Sequence, residues 1–187
     1  MERTAIIRRR LLRLKDYDYA NPGAYFLTIC THDRSMLFGD INEGNMQLND
    51  YGKIVCQEWE ISATIRRGIT LDAFVILPNH VHGIMVIEES DVGATGRSPS
   101  RSGPAPRSLG AFVGGFKSAT TKQLNDLRRT PGQPVWQRNY YEHMIRDEGS
   151  LNRIREYIAG NPARWDVDRE NPAANNPEPN NVWCGLD

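Results

Sequence analysis

The sequence predicts an α/β fold of the α+β kind: an antiparallel sheet with helices packed on it and an additional helix at the C-terminal end. Three observations carry this reading. Short runs rich in aromatic and β-branched residues alternate with stretches where apolar residues recur every three to four positions. Gly, Pro and Asn residues punctuate the boundaries between them. Along the chain the order is strand, helix, strand, strand, helix, strand and one further helix, which is a ferredoxin-like order with an extension. At 187 residues the chain has room for one domain with a real core.

Ala24-Tyr-Phe-Leu-Thr-Ile-Cys-Thr31 reads as the first strand. An Asn- and Gly-rich stretch, Ile41 to Asp50, leads into a helix where Tyr51, Val55 and Trp59 recur every four residues and which runs to about Arg67. Leu71 to Leu77 is the second strand, Pro78-Asn79 a tight turn, and His80 to Ile87 the third strand. Beyond His82 that strand is apolar on both faces, with Ile84 and Val86 on one and Met85 and Ile87 on the other. A strand of this kind is central and covered.

Residues 90–107 hold Gly, Ser, Pro and three arginines without periodicity and read as a mobile loop within the domain. Ser108 then caps a helix bearing Leu109, Phe112, Val113, Phe116, Leu124 and Leu127. Val135 to Ile145 is expected as the fourth strand. Ser150 to Asn161 is the last helix, with Leu151, Ile154 and Ile158 as its buried stripe and Gly160-Asn161-Pro162 as its stop. Little structure is expected beyond Trp165 until Val182-Trp183. The expected division is a basic arm at 1–22, a functional domain at 23–165 and an acidic, Asn/Pro-rich tail at 166–187.

The net charge of zero conceals an asymmetry. Residues 1–15 hold six basic residues against Glu2, a balance of +5, and residues 166–187 hold five acids against Arg169, a balance of −4. Of the 22 basic residues before position 166, all but four are arginine, whose planar fork suits phosphates and stacks on bases. That composition is compatible with a nucleic-acid partner and equally with a solvated arm. Cys30, Cys56 and Cys184 form no C-x-x-C pair. No apolar run approaches the roughly 18–20 residues of a membrane span, and the N-terminus is charged where a signal peptide is apolar. A cytoplasmic protein without membrane contact is expected.

His80 and His82 lie two apart on the third strand, so both imidazoles point to one face. Two nitrogen donors on a rigid element are half of a metal site. On the last helix, Tyr157 and Asn161 stand four apart on one face. Tyr157 falls roughly 90° from the centre of the buried stripe, at the border between core and cleft. A border tyrosine and an asparagine before proline also have purely structural readings.

Four motifs stand in one order: Val75-Ile-Leu-Pro-Asn-His-Val-His-Gly-Ile84, Gly115-Phe-Lys-Ser118, Trp136-Gln-x-x-Tyr-Tyr-Glu-His-x-Ile-Arg146 and Tyr157-Ile-x-x-Asn-Pro162. Together, over residues 23–165, they resemble the single-tyrosine HUH transposases, in particular the REP-associated tyrosine transposase branch. The resemblance implies that His80 and His82 bind a divalent cation, Mg²⁺ or Mn²⁺, and that Tyr157 is the nucleophile. The insertion-sequence branch has Gln four residues after its tyrosine and the REP-associated branch has Asn, so Asn161 becomes the candidate third ligand. Expected partners are single-stranded DNA hairpins of repetitive extragenic palindromes, met by a monomer or a homodimer associated with the nucleoid.

The chemistry agrees with the resemblance. A tyrosine hydroxyl, with a pKa of about 10, is a weak nucleophile at neutral pH. A cation on the phosphate withdraws charge and fixes geometry. A 5′-phosphotyrosine conserves the bond energy, so a 3′-hydroxyl can later rejoin the strand. Tyr140 and Tyr141 compete for the nucleophile's role, but neither has a candidate ligand one turn away; both also read as base-stacking, backbone-contacting or core residues. DNA contact is further expected at Arg8, Arg9, Arg10, Lys117, His143, Arg146 and Arg153. Lys117 also reads as a solvated helix lysine, and His143 as a metal neighbour or a hydrogen-bonded structural histidine. Two other functions compete: a non-catalytic, domesticated hairpin-binding protein, and a His-x-His metallohydrolase of small molecules, against which stands the lack of an acid adjoining the histidines.

Overall fold

The structure, a computed structural model, describes residues 21–89 and 108–179. Arg8, Arg9 and Arg10 of the basic arm, the loop at 90–107 and residues 180–187 lie outside the described residues. The elements are β1 (Gly23–Cys30), β2 (Gly39–Asn42), β3 (Asn45–Leu48), α1 (Asp50–Thr64), β4 (Ile69–Leu77), β5 (His80–Ile87), α2 (Leu109–Arg128), β6 (Tyr141–Ile145) and α3 (Glu148–Gly160). Four strands form one sheet in the order β4-β5-β1-β6, and every neighbouring pair is antiparallel. With the hairpin β2–β3 set aside, this is the ferredoxin-like arrangement that the sequence predicts.

Alternation along the central strands divides the core in two. Tyr25, Leu27 and Ile29 of β1 and Val81 and Met85 of β5 meet Trp59, Phe112 and Phe116 of α1 and α2 on one face. Trp59 is fully buried and sits edge-on to Phe112 and Phe116, with centroids 5.3 and 5.2 Å away. Its indole lies against the backbone of Gly83, where a Cβ would fall 2.3 Å from the ring. On the other face Phe26, Ile84 and Ile145 pack against Ile154 and Ile158 of α3. The additional helix therefore covers the side opposite α1 and α2, and that is the face of His80 and His82.

Several elements differ from expectation. The Asn/Gly stretch folds as the hairpin β2–β3, whose turn residues Glu43 and Gly44 both have positive φ, 50° and 73°. This is the primed-turn geometry that matches strand twist. The fourth strand is only Tyr141–Ile145. Upstream, Trp136 makes an isolated bridge to Thr31, the Gln137 N–H goes to Cys30, and the Gln137 and Asn139 carbonyls go to Lys117 rather than to a ladder. Tyr140 thus precedes the strand instead of lying on it. Helix α1 starts from an Asn49 cap and ends at Thr64, short of Arg67, before Gly68 at φ 75°. Helix α3 starts two residues before Ser150, because Asp147 caps it by accepting from the Ser150 N–H at 2.8 Å.

The C-terminal boundary differs most. Asn161 keeps helical angles, φ −62° and ψ −42°, despite the following proline. Pro162 opens a 3-10 helix, Pro162–Val167, at the first-turn position where its missing N–H costs nothing. Beyond Val167 no further helix or strand follows among the described residues, in line with the expected lack of structure, yet Asp168, Glu170 and Asn171 are buried. Glu178 pairs with Arg164, and its N–H reaches the Val167 carbonyl at 2.9 Å. Hydrogen bonds between side chains and backbone replace the apolar stripe that sequence patterning looks for.

Candidate metal and tyrosine site

His80 and His82 open β5, where Cys30 and Thr28 of β1 stand opposite them. A strand rise would separate them by about 7 Å, yet the rings converge: the two Nε2 atoms are 3.1 Å apart and the ring planes cross at 74°. Asn79 fixes one tautomer. Its Nδ2 donates to the Glu170 carbonyl at 2.7 Å and the Arg34 carbonyl at 3.3 Å, so its Oδ1 is the acceptor for His80 Nδ1 at 2.8 Å. His80 therefore carries its proton on Nδ1, and its Nε2 offers a lone pair toward His82 when neutral. His82 Nδ1 lies 3.0 Å from the Thr28 hydroxyl, which can serve either tautomer. Burial, and after it the neighbouring His80, push His82 down to about 3. Both features favour neutral imidazoles, the form that binds a cation.

Three C-terminal residues complete the cluster. Asp168 Oδ2 lies 3.9 Å from His80 Nε2, and one donor atom from each of His80, His82 and Asp168 fits within 4.8 Å of the others. The Glu170 N–H holds Asp168 Oδ1 at 2.6 Å. Burial raises the Asp168 pKa, while His82 and the Glu170 amide oppose the rise. The Tyr157 hydroxyl is 3.4 Å from His82 Nε2. Burial first, then the charges of Asp168 and Glu178, push its pKa above the ordinary tyrosine value; the Asn161 amide works against them. Asn161 is 2% exposed, and its Oδ1 is buried without a hydrogen-bond partner among the described residues. An unsatisfied buried carbonyl costs about 1–3 kcal/mol, which a cation would relieve. Two imidazoles, a carboxylate and an amide oxygen fit a divalent ion of hard or borderline character.

The loop that brings Asp168 is tied down. Arg34 pairs with Glu170 at 3.1 Å, Asn79 holds the Glu170 carbonyl, and Trp165 stacks over His80 with centroids 6.1 Å apart. Sequence reasoning missed Asp168, Asn79 and Thr28. Asp168 sits in a segment without periodicity, where acids read as solvated; its one signal is an acid seven residues after Asn161. Asn79 reads as a turn residue before its hydrogen bonds are known.

The remaining candidates fall apart in space. Tyr141 and His143 face the same side as the histidines, but Tyr141 stands across β1 from His82, since both are opposite Thr28. That is two strand spacings, about 10 Å. Tyr140 packs into the core of the α1/α2 side, beneath the Lys117 ammonium at 5.4 Å. Lys117 donates to the Gln137 and Asn139 carbonyls at 2.9 and 3.0 Å, and burial lowers it to about 8. His143 is half-buried, and burial, then Arg146, lower its pKa. Arg146 is exposed beyond β6, and Arg153 is exposed on α3 with its guanidinium on Ser150 at 2.9 Å.

A His-x-His pair on a central antiparallel strand, met by a tyrosine from the helix that follows the sheet, defines the single-tyrosine HUH class. No protein-family model matches the sequence. An uncharacterized protein of Haemophilus influenzae is 41% identical over 169 residues, 86% of this chain and 92% of that relative. A second protein of the same organism, which carries the provisional name REP-associated tyrosine transposase, is 30% identical over 150 residues, 79% of this chain and 74% of its own. A solved structure of a REP-associated tyrosine transposase bound to a REP hairpin has the same fold, with a TM-score of 0.57 at 20% identity over 81% of this chain and 72% of that one. The chain belongs to the REP-associated tyrosine transposase family. Among the described residues, no helix is long and apolar enough to cross a membrane.

Proposed function

We propose that this protein is a metal-dependent single-stranded DNA endonuclease and strand transferase that acts at or beside REP-type hairpins from within the cytoplasm. The observation that carries the proposal is the Tyr157 hydroxyl 3.4 Å from His82 Nε2, at a buried cluster of cation donors. His80, His82, Asn161 and Asp168 are the residues that would hold Mg²⁺ or Mn²⁺. When bound, the cation supplies positive charge that polarises the phosphate and favours the tyrosinate. The Tyr157 oxygen attacks phosphorus, the bond from phosphorus to the 3′-oxygen breaks, and the proton of the hydroxyl leaves with the new 3′-hydroxyl or to water. Reversal by a second 3′-hydroxyl rejoins the strand.

The chain's own residues supply orientation. Helix α3 is seated on its own sheet by Ile154 and Ile158, which supports a monomer whose nucleophile serves its own histidines. Asn79 sets the tautomer of His80, and the hairpin-bound relative supports the choice of substrate. Trp165 stacks on His80 and Asp168 stands beside it, which supports a fixed donor set at the histidines. The test is to incubate the protein with end-labelled hairpin DNA and Mn²⁺ and to look for a species that survives denaturation. A covalent adduct that is lost with chelator, and lost in the His80→Ala/His82→Ala variant, is expected. Full adduct formation by that double variant overturns the metal assignment.

A further inference from the structure

Ile154 and Ile158 seat α3 on the sheet, and apolar packing of this kind is non-directional. It leaves open how far the helix is rolled about its axis, and the place of Tyr157 depends on that roll. The Tyr157 hydroxyl stands 3.4 Å from His82 Nε2, beyond the roughly 2.7–2.8 Å of a strong hydroxyl hydrogen bond. That contact is a weak restraint. A directional one joins the helix to β4. Arg155 Nε donates to Asp72 Oδ1 at 2.9 Å and its Nη2 to Asp72 Oδ2 at 2.5 Å, a bidentate fork. Its Nη1 donates to Asn152 Oδ1 at 3.0 Å, so the guanidinium is held from two sides.

The sheet is built to present that carboxylate. Leu71, Phe74 and Ile76 of β4 belong to the core beneath α1 and α2, while Ala73 and Val75 pack on the α3 side. Strict alternation back from Phe74 would place residue 72 beneath α1 and α2. The register breaks between Leu71 and Phe74, and this bulge turns Asp72 and Ala73 to the same side. Asp72 Oδ1 also accepts from the Ala73 N–H at 2.7 Å. The hydrogen bond from Arg155 holds the Asp72 carboxyl below the usual carboxylate range, which keeps it ionised at neutral pH. Strand β4 pairs with β5, where Val75 stands opposite His82. The strand pair that aims the histidine therefore also carries the anchor of the tyrosine helix. Arg155 and Tyr157 lie about 160° apart around that helix, so a roll that swings the hydroxyl away also opens the fork.

We propose that the Asp72–Arg155 ion pair is a positioning device that sets the roll of α3 and so aims the Tyr157 hydroxyl at the histidines. It acts on the rate of cleavage and leaves hairpin binding alone. The proposal rests on the reading of Tyr157 as the nucleophile and adds what fixes its approach. A partly exposed ion pair adds little to stability. A misplacement of about 1 Å at a reacting group, by contrast, can cost about a hundredfold in rate.

The test pairs single-turnover adduct formation, at saturating hairpin DNA and Mn²⁺, with hairpin affinity by fluorescence anisotropy. Arg155→Met keeps an unbranched side chain and loses the fork; Asp72→Asn keeps the shape and an acceptor for the Ala73 N–H. The adduct rate should fall at least tenfold in Arg155→Met and at least threefold in Asp72→Asn. Hairpin affinity should stay within twofold of wild type in both. The double variant should match Arg155→Met within twofold, because both substitutions remove the same contact. In the metal-free protein, cross-relaxation between the Tyr157 and His82 rings, with centroids 5.3 Å apart, should weaken in Arg155→Met. Cross-relaxation between Phe26 and Tyr141, which both lie on the sheet, should not change. An undiminished adduct rate in Arg155→Met overturns the proposal. So does a matching loss of hairpin affinity, which marks a DNA contact or a damaged fold, and so does a double variant whose losses multiply. Wild-type protein that forms no adduct on Tyr157 overturns the nucleophile reading itself, whereas a wild-type adduct on Tyr157 with indifferent variants overturns the ion pair's role alone.

Discussion

Asn79 decides what His80 can do. Its amide is oriented by two backbone carbonyls, so the oxygen that remains can only accept from His80 Nδ1, and Nε2 is left as a donor to a cation. Partners of this kind typically tune metal affinity by 10–100-fold. Asn79→Ala should weaken Mn²⁺ binding by about that factor in titration calorimetry, and unchanged affinity would show that His80 orients itself. A second residue-scale prediction concerns acid. His82 is depressed from 6.5 to about 3, so the native state resists a proton that the unfolded chain accepts. Its contribution to the stability of the metal-free protein is present above pH 6.5 and is lost as pH falls toward about 3. The loss is at most about 1.4 kcal/mol per pH unit. Asp168, whose pKa is raised, slopes the other way, so the readout is the difference between wild type and His82→Asn in denaturant melts. Parallel curves for the two proteins would remove His82 as the titrating group.

The elements show how far a sequence can be read. The histidine strand, both core helices and the tyrosine helix follow from periodicity, because each buries an apolar stripe. The hairpin β2–β3 did not, since its strands are four residues each and only partly buried, leaving the turn chemistry of Glu43-Gly44 as its signal. Of the candidate site, His80, His82, Tyr157 and Asn161 were legible as two spacings on regular elements. Asp168 was not, because a 3-10 turn, the Glu170 N–H and the Asn79 amide place it rather than any repeat. The contact between β5 and α1 gives a prediction at this scale. A methyl at position 83 would fall 2.3 Å from the Trp59 ring and drive it out of its packing with Phe112 and Phe116. Gly83→Ala should cost about 1–3 kcal/mol in urea unfolding, while a change under about 0.5 kcal/mol, the scale of a neutral surface substitution, would mean that Trp59 relocates freely.

At the scale of the whole molecule, the sheet separates two tasks. Packing of Trp59, Phe112 and Phe116 on one face makes β5 rigid, and the other face uses that rigidity to hold two imidazoles 3.1 Å apart at Nε2. The tyrosine arrives on α3, and the segment beyond Pro162 folds back to bring a carboxylate to the same spot. Charge at the histidines is acidic, with Asp168 and Glu170 both buried and Asp168 Oδ2 3.9 Å from His80 Nε2. The identity of the tyrosine that attacks DNA is the central point. The direct measurement is peptide mapping by mass spectrometry of the adduct formed with hairpin DNA and Mn²⁺, on wild type and on Tyr157→Phe. A nucleotide is expected on the peptide containing Tyr157 in wild type, and in Tyr157→Phe no adduct is expected, with hairpin binding nearly intact. A nucleotide on Tyr140 or Tyr141, or an adduct undiminished in Tyr157→Phe, would contradict it.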